Sequence, residues 1–249
     1  MITIILAGGL GKRMKSSLPK VLHKVNDKPM IYHVIRNALY LGSTKILIIV
    51  GKYRAMIQKE IAHFFPDNNY IIEYINQEPP LGTGHAIQCA VPYLLRNQVP
   101  LDTNVLILSG DVPLITETTL VQLCANPNTL LITKLEEPKG CGRIIFAKDK
   151  IVKIIEEKDC TEEERQIQYV NCGIYNITVK TLLETVPFIL NQNKANEFYL
   201  TDFVDLAIEK KIELNYYDLS ISDQYQVINI NTEQDLVRAN EILFVKQLY

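Results

Sequence analysis

Tryptophan is absent from these 249 residues, and histidine occurs only four times. The histidines stand apart, with no pair at metal-ligand spacing, so the sequence offers no local histidine metal motif. Cysteine is sparse: Cys89, Cys124, Cys141, Cys160 and Cys172 are scattered, odd in number and form no C-x-x-C. That pattern reads as reduced thiols, and so as a cytoplasmic protein. Neither sign of charge dominates. A net charge of −2 sets up no global field toward nucleic acid or a membrane surface, and neither is expected as a partner. No apolar run approaches a membrane span. Ile2 to Ala7 is too short for a signal peptide and lacks a basic n-region. There is no internal repeat and no low-complexity linker.

What is present is a globular composition. Hydrophobic residues make up 47% and charged residues 22%, enough to bury a full core. The length fits one large α/β domain, or one domain with a small lobe. Ile2–Ile5, Lys45–Val50, Asn69–Asn76 and Val105–Leu108 read as strands. The second is apolar throughout, as in a parallel sheet covered on both faces. Helical patterns separate them: one from Pro29 to Gly42, a short one from Arg54 to His63, and one from Ala86 that Pro92 is expected to kink or stop. Strand and helix alternate through residue 125, the doubly wound pattern. Farther on, residues 130–135, 143–146, 151–156 and 168–175 read as strands with hairpin-like spacing. Thr161 opens a capped, acidic helix start. Helices are expected over 179–190 and 200–210, short strands over 213–217 and 226–230, and a final helix from a Thr232 cap through Leu248.

One stretch organises the rest: Leu6-Ala7-Gly8-Gly9-Leu10-Gly11-Lys12-Arg13-Met14-Lys15-Ser16-Ser17-Leu18-Pro19-Lys20. It leaves the first strand as a loop with three glycines and four basic residues. Glycines let backbone N–H groups approach an anion closely, and the cations add fixed charge, so the expected guest is a polyphosphate. It is not a P-loop, because Gly11-Lys12 is followed by Arg13. Nor is it the dinucleotide fingerprint, because the third glycine position falls on Met14. Two further loops follow strands: Gln77 with Leu81-Gly82-Thr83-Gly84-His85, and Ser109-Gly110-Asp111. Ligands in open α/β sheets bind beyond the carboxyl ends of strands, so these loops can converge on one crevice. Thr83 there is a helix N-cap or a ligand contact. Asp111 is an N-cap, an Asx-turn or a cation ligand.

The pattern G-G-x-G-x-R-M-x-S-x-x-P-K resembles the signature of sugar-phosphate nucleotidyltransferases, and its spacing is most similar to N-acetylglucosamine-1-phosphate uridylyltransferases. L-G-T-G-H-A, S-G-D-V-P-L, G-C-G-R, E-E-K-D, N-C-G-I-Y and N-E-F-Y-L-T-D follow in the order and spacing of that family, from Ile4 to about Ala239. Two residues depart from it: Cys141 stands where an aromatic is usual, and Cys172 where threonine is usual. Ser109 stands where tyrosine is frequent.

The resemblance implies a Rossmann-like, doubly wound mixed sheet of the nucleotidyltransferase type. It also implies a single domain over 1–249. Within it a nucleotide-binding half spans about 1–112, a sugar-binding half about 113–231 and a C-terminal helix about 232–248. The bifunctional bacterial members continue into a hexapeptide-repeat acetyltransferase, which is not expected here. The implied reaction joins UTP and N-acetylglucosamine 1-phosphate into UDP-N-acetylglucosamine and pyrophosphate. The alternatives are a pyrophosphorylase for another sugar 1-phosphate and a catalytically silent sugar-nucleotide-binding subunit. By resemblance Arg13, Lys20 and Asp111 are catalytic. Leu6, Ala7, Gly8, Gly9, Lys20, Gln77, Gly82, Thr83, Ser109 and Gly110 hold the nucleotide. Gly142, Glu156, Asn171, Tyr199 and Thr201 hold the sugar. Mg²⁺ is the expected cofactor, on Asp111 and on Asn231 with Asn229 as fallback, although Asn231 can equally cap the last helix. A monomer or small homo-oligomer is expected.

Overall fold

The computed structural model describes residues 1–9 and 11–247; Leu10 of the glycine-rich stretch and Leu248 at the expected end of the last helix lie outside the described residues. The first half comprises β1 (Ile2–Leu6), a small hairpin of β2 (Lys24–Val25) and β3 (Lys28–Pro29), α1 (Met30–Tyr40), β4 (Lys45–Val50), α2 (Arg54–Phe64), β5 (Ile72–Asn76), α3 (Thr83–Arg96), β6 (Asn104–Ser109) and α4 (Glu117–Leu123). The second half comprises β7 (Thr129–Lys134), β8 (Arg143–Ala147), β9 (Lys150–Ile155), β10 (Tyr169–Thr178), α5 (Val179–Thr185), α6 (Phe203–Glu209), β11 (Asn215–Leu219) and α7 (Glu233–Gln247).

Nine strands form one mixed sheet in the order β11-β7-β10-β6-β1-β4-β5, with the β8–β9 hairpin attached through β8 to β10. β5, β4, β1 and β6 are parallel, whereas β10 runs antiparallel to both β6 and β7. Side chains alternate across the parallel strands, so each strand feeds two cores. Ile5, Ile46, Ile48 and Leu108 face α1, α2 and α4, while Ile2, Ile4, Leu47, Ile49 and Ile107 face α3, α5 and α6. This is the α/β class with a doubly wound mixed sheet that the sequence suggested. A third, small cluster of Val25, Met30, Leu114, Ile230 and Ala239 seats α7 against the β2–β3 hairpin.

Several local expectations are corrected. Pro92 does not stop α3, which runs from Thr83 to Arg96. The buried face of Ala86, Ile87, Ala90 and Leu94 continues past the proline, and that packing outweighs the lost backbone bond. Thr83 does not cap the helix: Gly82 holds the cap position and makes no side-chain bond there. Residues 226–230 form no strand, because a 3-10 turn runs from Ile221 to Val227. Gln226 is buried, and its Oε1 accepts from the Thr116 N–H, the Thr116 hydroxyl and the Thr119 hydroxyl. A side chain so occupied holds its backbone out of the sheet. Around Thr161 the reciprocal capping bonds with Glu164 form, yet they open only a 3-10 turn at Glu164–Gln166.

Candidate active site

The parallel strands reverse order between β1 and β6, and a crevice opens there at their carboxyl ends. Its cleft measures about 290 Å³. Backbone from β1 forms one wall: Leu6, Ala7, Gly8 and Gly9. This wall is fixed by the Ala7 N–H donating to Ile49 O at 2.9 Å and the Gly110 N–H donating to Leu6 O at 2.9 Å. Gly110 does not line the cleft. It locks the end of β6 against β1, where a Cβ would lie 3.0 Å from Leu6 O.

Gln77, Pro80, Gly82, Thr83 and Ala86 continue the lining, with Gln77 against Gly8, where a Cβ would lie 3.0 Å from Gln77 Oε1. Gln77 is 5% exposed, and its Nε2 donates to Gly82 O at 2.8 Å. His85 packs beneath, with Nδ1 3.4 Å from Gln77 Nε2 and its ring beside Phe198. The Thr83 hydroxyl accepts from the Leu200 N–H at 3.0 Å. It therefore ties this loop to the segment carrying Tyr199 and Thr201.

The polar end of the cleft gathers three distant segments. Pro19 precedes a 3-10 turn whose Val21 and Leu22 are buried, and this anchors Lys20. Lys20 Nζ donates to Asp111 Oδ2, and to Asn231 Oδ1 at 2.6 Å. Arg13 Nη2 also donates to Asn231 Oδ1, at 2.8 Å, although Arg13 itself lies outside the cleft lining. Ser109 Oγ donates to Asp111 Oδ1 at 2.6 Å and so orients the carboxylate. The Asn231 side chain does not cap α7. Thr232 and Asp235 do so instead, the Asp235 carboxylate accepting from the N–H groups of both Asn231 and Thr232. These bonds hold the Asp235 carboxyl below its ordinary value. Ile230 N–H donates to Asp111 O at 3.0 Å and fastens the C-terminal segment to the end of β6. Among the described residues the Asn229 side chain makes no hydrogen bond to this group; its backbone O accepts from Asn231 Nδ2 at 3.4 Å.

Among the described residues, no three His, Cys, Asp or Glu side chains cluster as a metal site. One carboxylate and one amide oxygen do converge, and they converge on a cation, the Lys20 ammonium. Two hard oxygen donors suit Mg²⁺, which keeps several waters and needs few protein ligands.

The residues assigned to the sugar stand beside this cleft, not in its lining. Gly142 O accepts from the Asn171 N–H at 2.9 Å. Glu156 Oε1 accepts from the Thr201 hydroxyl at 2.9 Å. Asn171 Nδ2 donates to the Tyr175 hydroxyl at 2.6 Å. Burial pushes the Glu156 carboxyl above its ordinary value, against the Thr201 hydrogen bond. Burial, with Asp205, Glu156 and Asp159 nearby, pushes Asp202 up to about 6. Burial and the same acidic surroundings push the Tyr199 hydroxyl to about 12. Sequence reasoning missed Glu197, which lines the cleft from the sugar side. Only its place in N-E-F-Y-L-T-D signalled it. Ser109, expected at the nucleotide, lines the cleft, and its hydrogen bond to Asp111 was not foreseen.

A crevice at the switch point of a parallel sheet, lined by Gly8, Gly9, Lys20 and Asp111 with Asn231 hydrogen-bonded to Lys20, defines an α/β protein of the open-sheet class whose ligand site lies at the strand ends. The chain belongs to the nucleotidyl transferase family, whose profile matches residues 2–224. It is 41% identical over 240 residues to the "Probable UDP-N-acetylglucosamine pyrophosphorylase" of Acanthamoeba polyphaga mimivirus, covering 93% of this chain and 92% of that protein. It is 38% identical over 251 residues to the "Bifunctional protein GlmU" of Acinetobacter baylyi, covering 96% of this chain and 53% of that protein. The chain thus spans about half the length of the bifunctional relatives it matches. A solved Bacillus anthracis structure, named as that of a "Putative Glucose-1-Phosphate Thymidylyltransferase", shares the fold with a TM-score of 0.72 at 20% identity, covering 97% of this chain and 95% of that one.

Proposed function

We propose that this chain transfers the uridylyl group of UTP to N-acetylglucosamine 1-phosphate, releasing pyrophosphate. The observation that carries the reading is the convergence of Lys20, Asp111 and Asn231 from three segments at the end of β6. The mimivirus relative, similar over nearly its whole length, supports the choice of substrates. The sugar phosphate oxygen attacks the α-phosphorus in line, the bond to the β-phosphate oxygen breaks, and pyrophosphate carries away the electron pair. No protein nucleophile is required, so the residues act by positioning and charge. Backbone from Leu6 to Gly9 holds the nucleotide, with Gln77, Gly82 and Thr83 around the base. Lys20 and Arg13 face the phosphates and offset the charge of the departing pyrophosphate. Ser109 keeps the Asp111 carboxylate aimed at the crevice. Asp111 and Asn231 would hold Mg²⁺, which screens repulsion between the two anionic substrates. Gly142, Glu156, Asn171, Tyr199 and Thr201 bind the sugar. A nucleoside triphosphate substrate and five free thiols support the cytoplasm as its compartment. The reverse reaction tests the proposal. UDP-N-acetylglucosamine plus pyrophosphate and Mg²⁺ should yield UTP, resolved by ion-exchange chromatography. No UTP above a protein-free blank would refute it.

A further inference from the structure

Arg143 is 1% exposed, the largest side chain to be so completely buried. Burying a guanidinium is costly unless it is paired, and a methionine of similar length would fill the space without that cost. Its contacts show what the charge holds. Nη1 donates to Cys141 O, Nη2 donates to Arg165 O at 3.3 Å, and Nη2 lies 2.6 Å from Glu157 Oε2. Among the described residues Nε and Glu157 Oε2 make no hydrogen bond, so Glu157 meets Arg143 as an ion pair rather than through an aligned N–H. The residue also sits mid-sheet, in register with Ile155 of β9 and Val170 of β10. The guanidinium thus staples the turn before β8, the end of β9 and the 3-10 turn at residue 165.

Two of these attachment points adjoin residues assigned to the sugar. Cys141 precedes Gly142, and Glu157 follows Glu156. A Cβ placed on Gly142 would lie 3.6 Å from the Glu156 carboxyl. Gly142 O in turn takes the Asn171 N–H, and Glu156 takes the Thr201 hydroxyl. Gly142–Asn171 and Glu156–Thr201 are therefore two hydrogen-bonded pairs that abut where Gly142 meets the Glu156 carboxyl, and Arg143 holds the chain neighbour of one member of each, Cys141 and Glu157. No atom of Arg143 lines the nucleotide cleft.

We infer that Arg143 is a positioning residue for the sugar phosphate, acting through Gly142 and Glu156 with Glu157 as its counterion. The inference rests on the proposed function. The test is steady-state kinetics of wild type, Arg143→Met, Arg143→Lys, Glu157→Gln and the Arg143→Met/Glu157→Gln double variant, using whichever sugar 1-phosphate the wild type turns over. Arg143→Met should raise KM for the sugar phosphate about 10- to 100-fold, the scale of an ångström-sized misplacement, and leave KM for UTP unchanged. Arg143→Lys should recover part of that loss. Glu157 is partly solvent-exposed, so Glu157→Gln should fold and show a smaller rise of the same kind. The double variant should cost no more than Arg143→Met. A folded Arg143→Met with unchanged sugar KM, or equal rises for both substrates, would overturn the inference. If Arg143→Met does not fold, unchanged sugar KM in both Arg143→Lys and Glu157→Gln overturns it equally. A wild type that turns over no sugar 1-phosphate refutes the proposed function itself, and the inference with it.

Discussion

Gly82→Ala perturbs the point where the two sides of the crevice touch. Gly82 adopts φ 119° and ψ 174°, a region essentially reserved for glycine, and forcing another residue there costs on the order of 1–3 kcal/mol. The new Cβ would lie 2.4 Å from Phe198 O and 2.9 Å from Phe198 N. Ordinary contact begins near 3.4 Å, so the 197–200 segment must retreat by about 1 Å. Overpacking of this kind adds about 1–3 kcal/mol. Taking about 3 kcal/mol in all, and about 2–4 °C per kcal/mol for a chain of this size, Tm should fall by about 6–12 °C. The segment cannot retreat alone, because Phe198 O accepts the Gly84 N–H at 2.7 Å and the Leu200 N–H donates to Thr83 at 3.0 Å. Glu197, Tyr199 and Thr201 move with it. A displacement of about 1 Å can cost about 10²-fold in rate, so kcat/KM should fall by about that factor in the folded variant. Gly9→Ala is the comparison: apart from its chain neighbours, no atom of the described residues lies within 4 Å of its added Cβ, so Tm should stay within about 1 °C. Scanning calorimetry and pyrophosphate-release kinetics on both variants decide the matter. A Gly82→Ala protein with wild-type Tm and kcat/KM would refute the coupling of the Gly82 loop to the 197–200 segment.

Lys20→Ala and Arg13→Ala should each lower kcat by about 10²–10³, the scale of losing one preorganised charge, with circular dichroism unchanged; a fully active folded variant would remove that residue from the phosphate cradle. Asn231→Ala should shift the Mg²⁺ activation curve to higher concentration while Asn229→Ala does not, and a shift confined to Asn229→Ala would exchange their roles. Asp202→Asn tests the raised carboxyl. A folded-state value of about 6 against an ordinary 3.8 means that the native state binds its proton more tightly than the unfolded chain. This contribution is fully present below pH 3.8 and lost as pH rises through about 6. The full shift corresponds to about 3 kcal/mol, reduced to about 1 kcal/mol by solvent screening of a half-buried group. The Tm difference, variant minus wild type, should therefore be larger at pH 7.5 than at pH 4, and a difference independent of pH would contradict the cause given.

The parallel half of the fold was legible because its strands are buried on both faces. Lys45–Val50 is apolar nearly throughout, and such a run has few other homes. The loops were legible because glycine, lysine and aspartate sit where strands end. The second half was harder for identifiable reasons. Gln226 looks like a strand residue until Thr116 and Thr119 are seen to occupy its amide oxygen. Thr83 carries every local sign of a helix cap, yet a residue 117 positions away takes its hydroxyl. Arg143 opens the expected 143–146 strand, and nothing in the sequence marks its charge as buried. Only the tertiary fold shows it buried among three segments. Gln226, Thr83 and Arg143 share one cause, a polar side chain whose partner lies in another segment, and periodicity carries no record of such partners.

The most direct test of the account combines the purified chain with UTP, Mg²⁺ and N-acetylglucosamine 1-phosphate, and quantifies products by mass spectrometry. UDP-N-acetylglucosamine and pyrophosphate should appear in equal amounts. With glucose 1-phosphate kcat/KM should fall sharply, because a site built to hydrogen-bond the acetamido group leaves its polar groups unpaired against that analogue. No nucleotide sugar, or equal kcat/KM for the two sugar phosphates, would contradict the account.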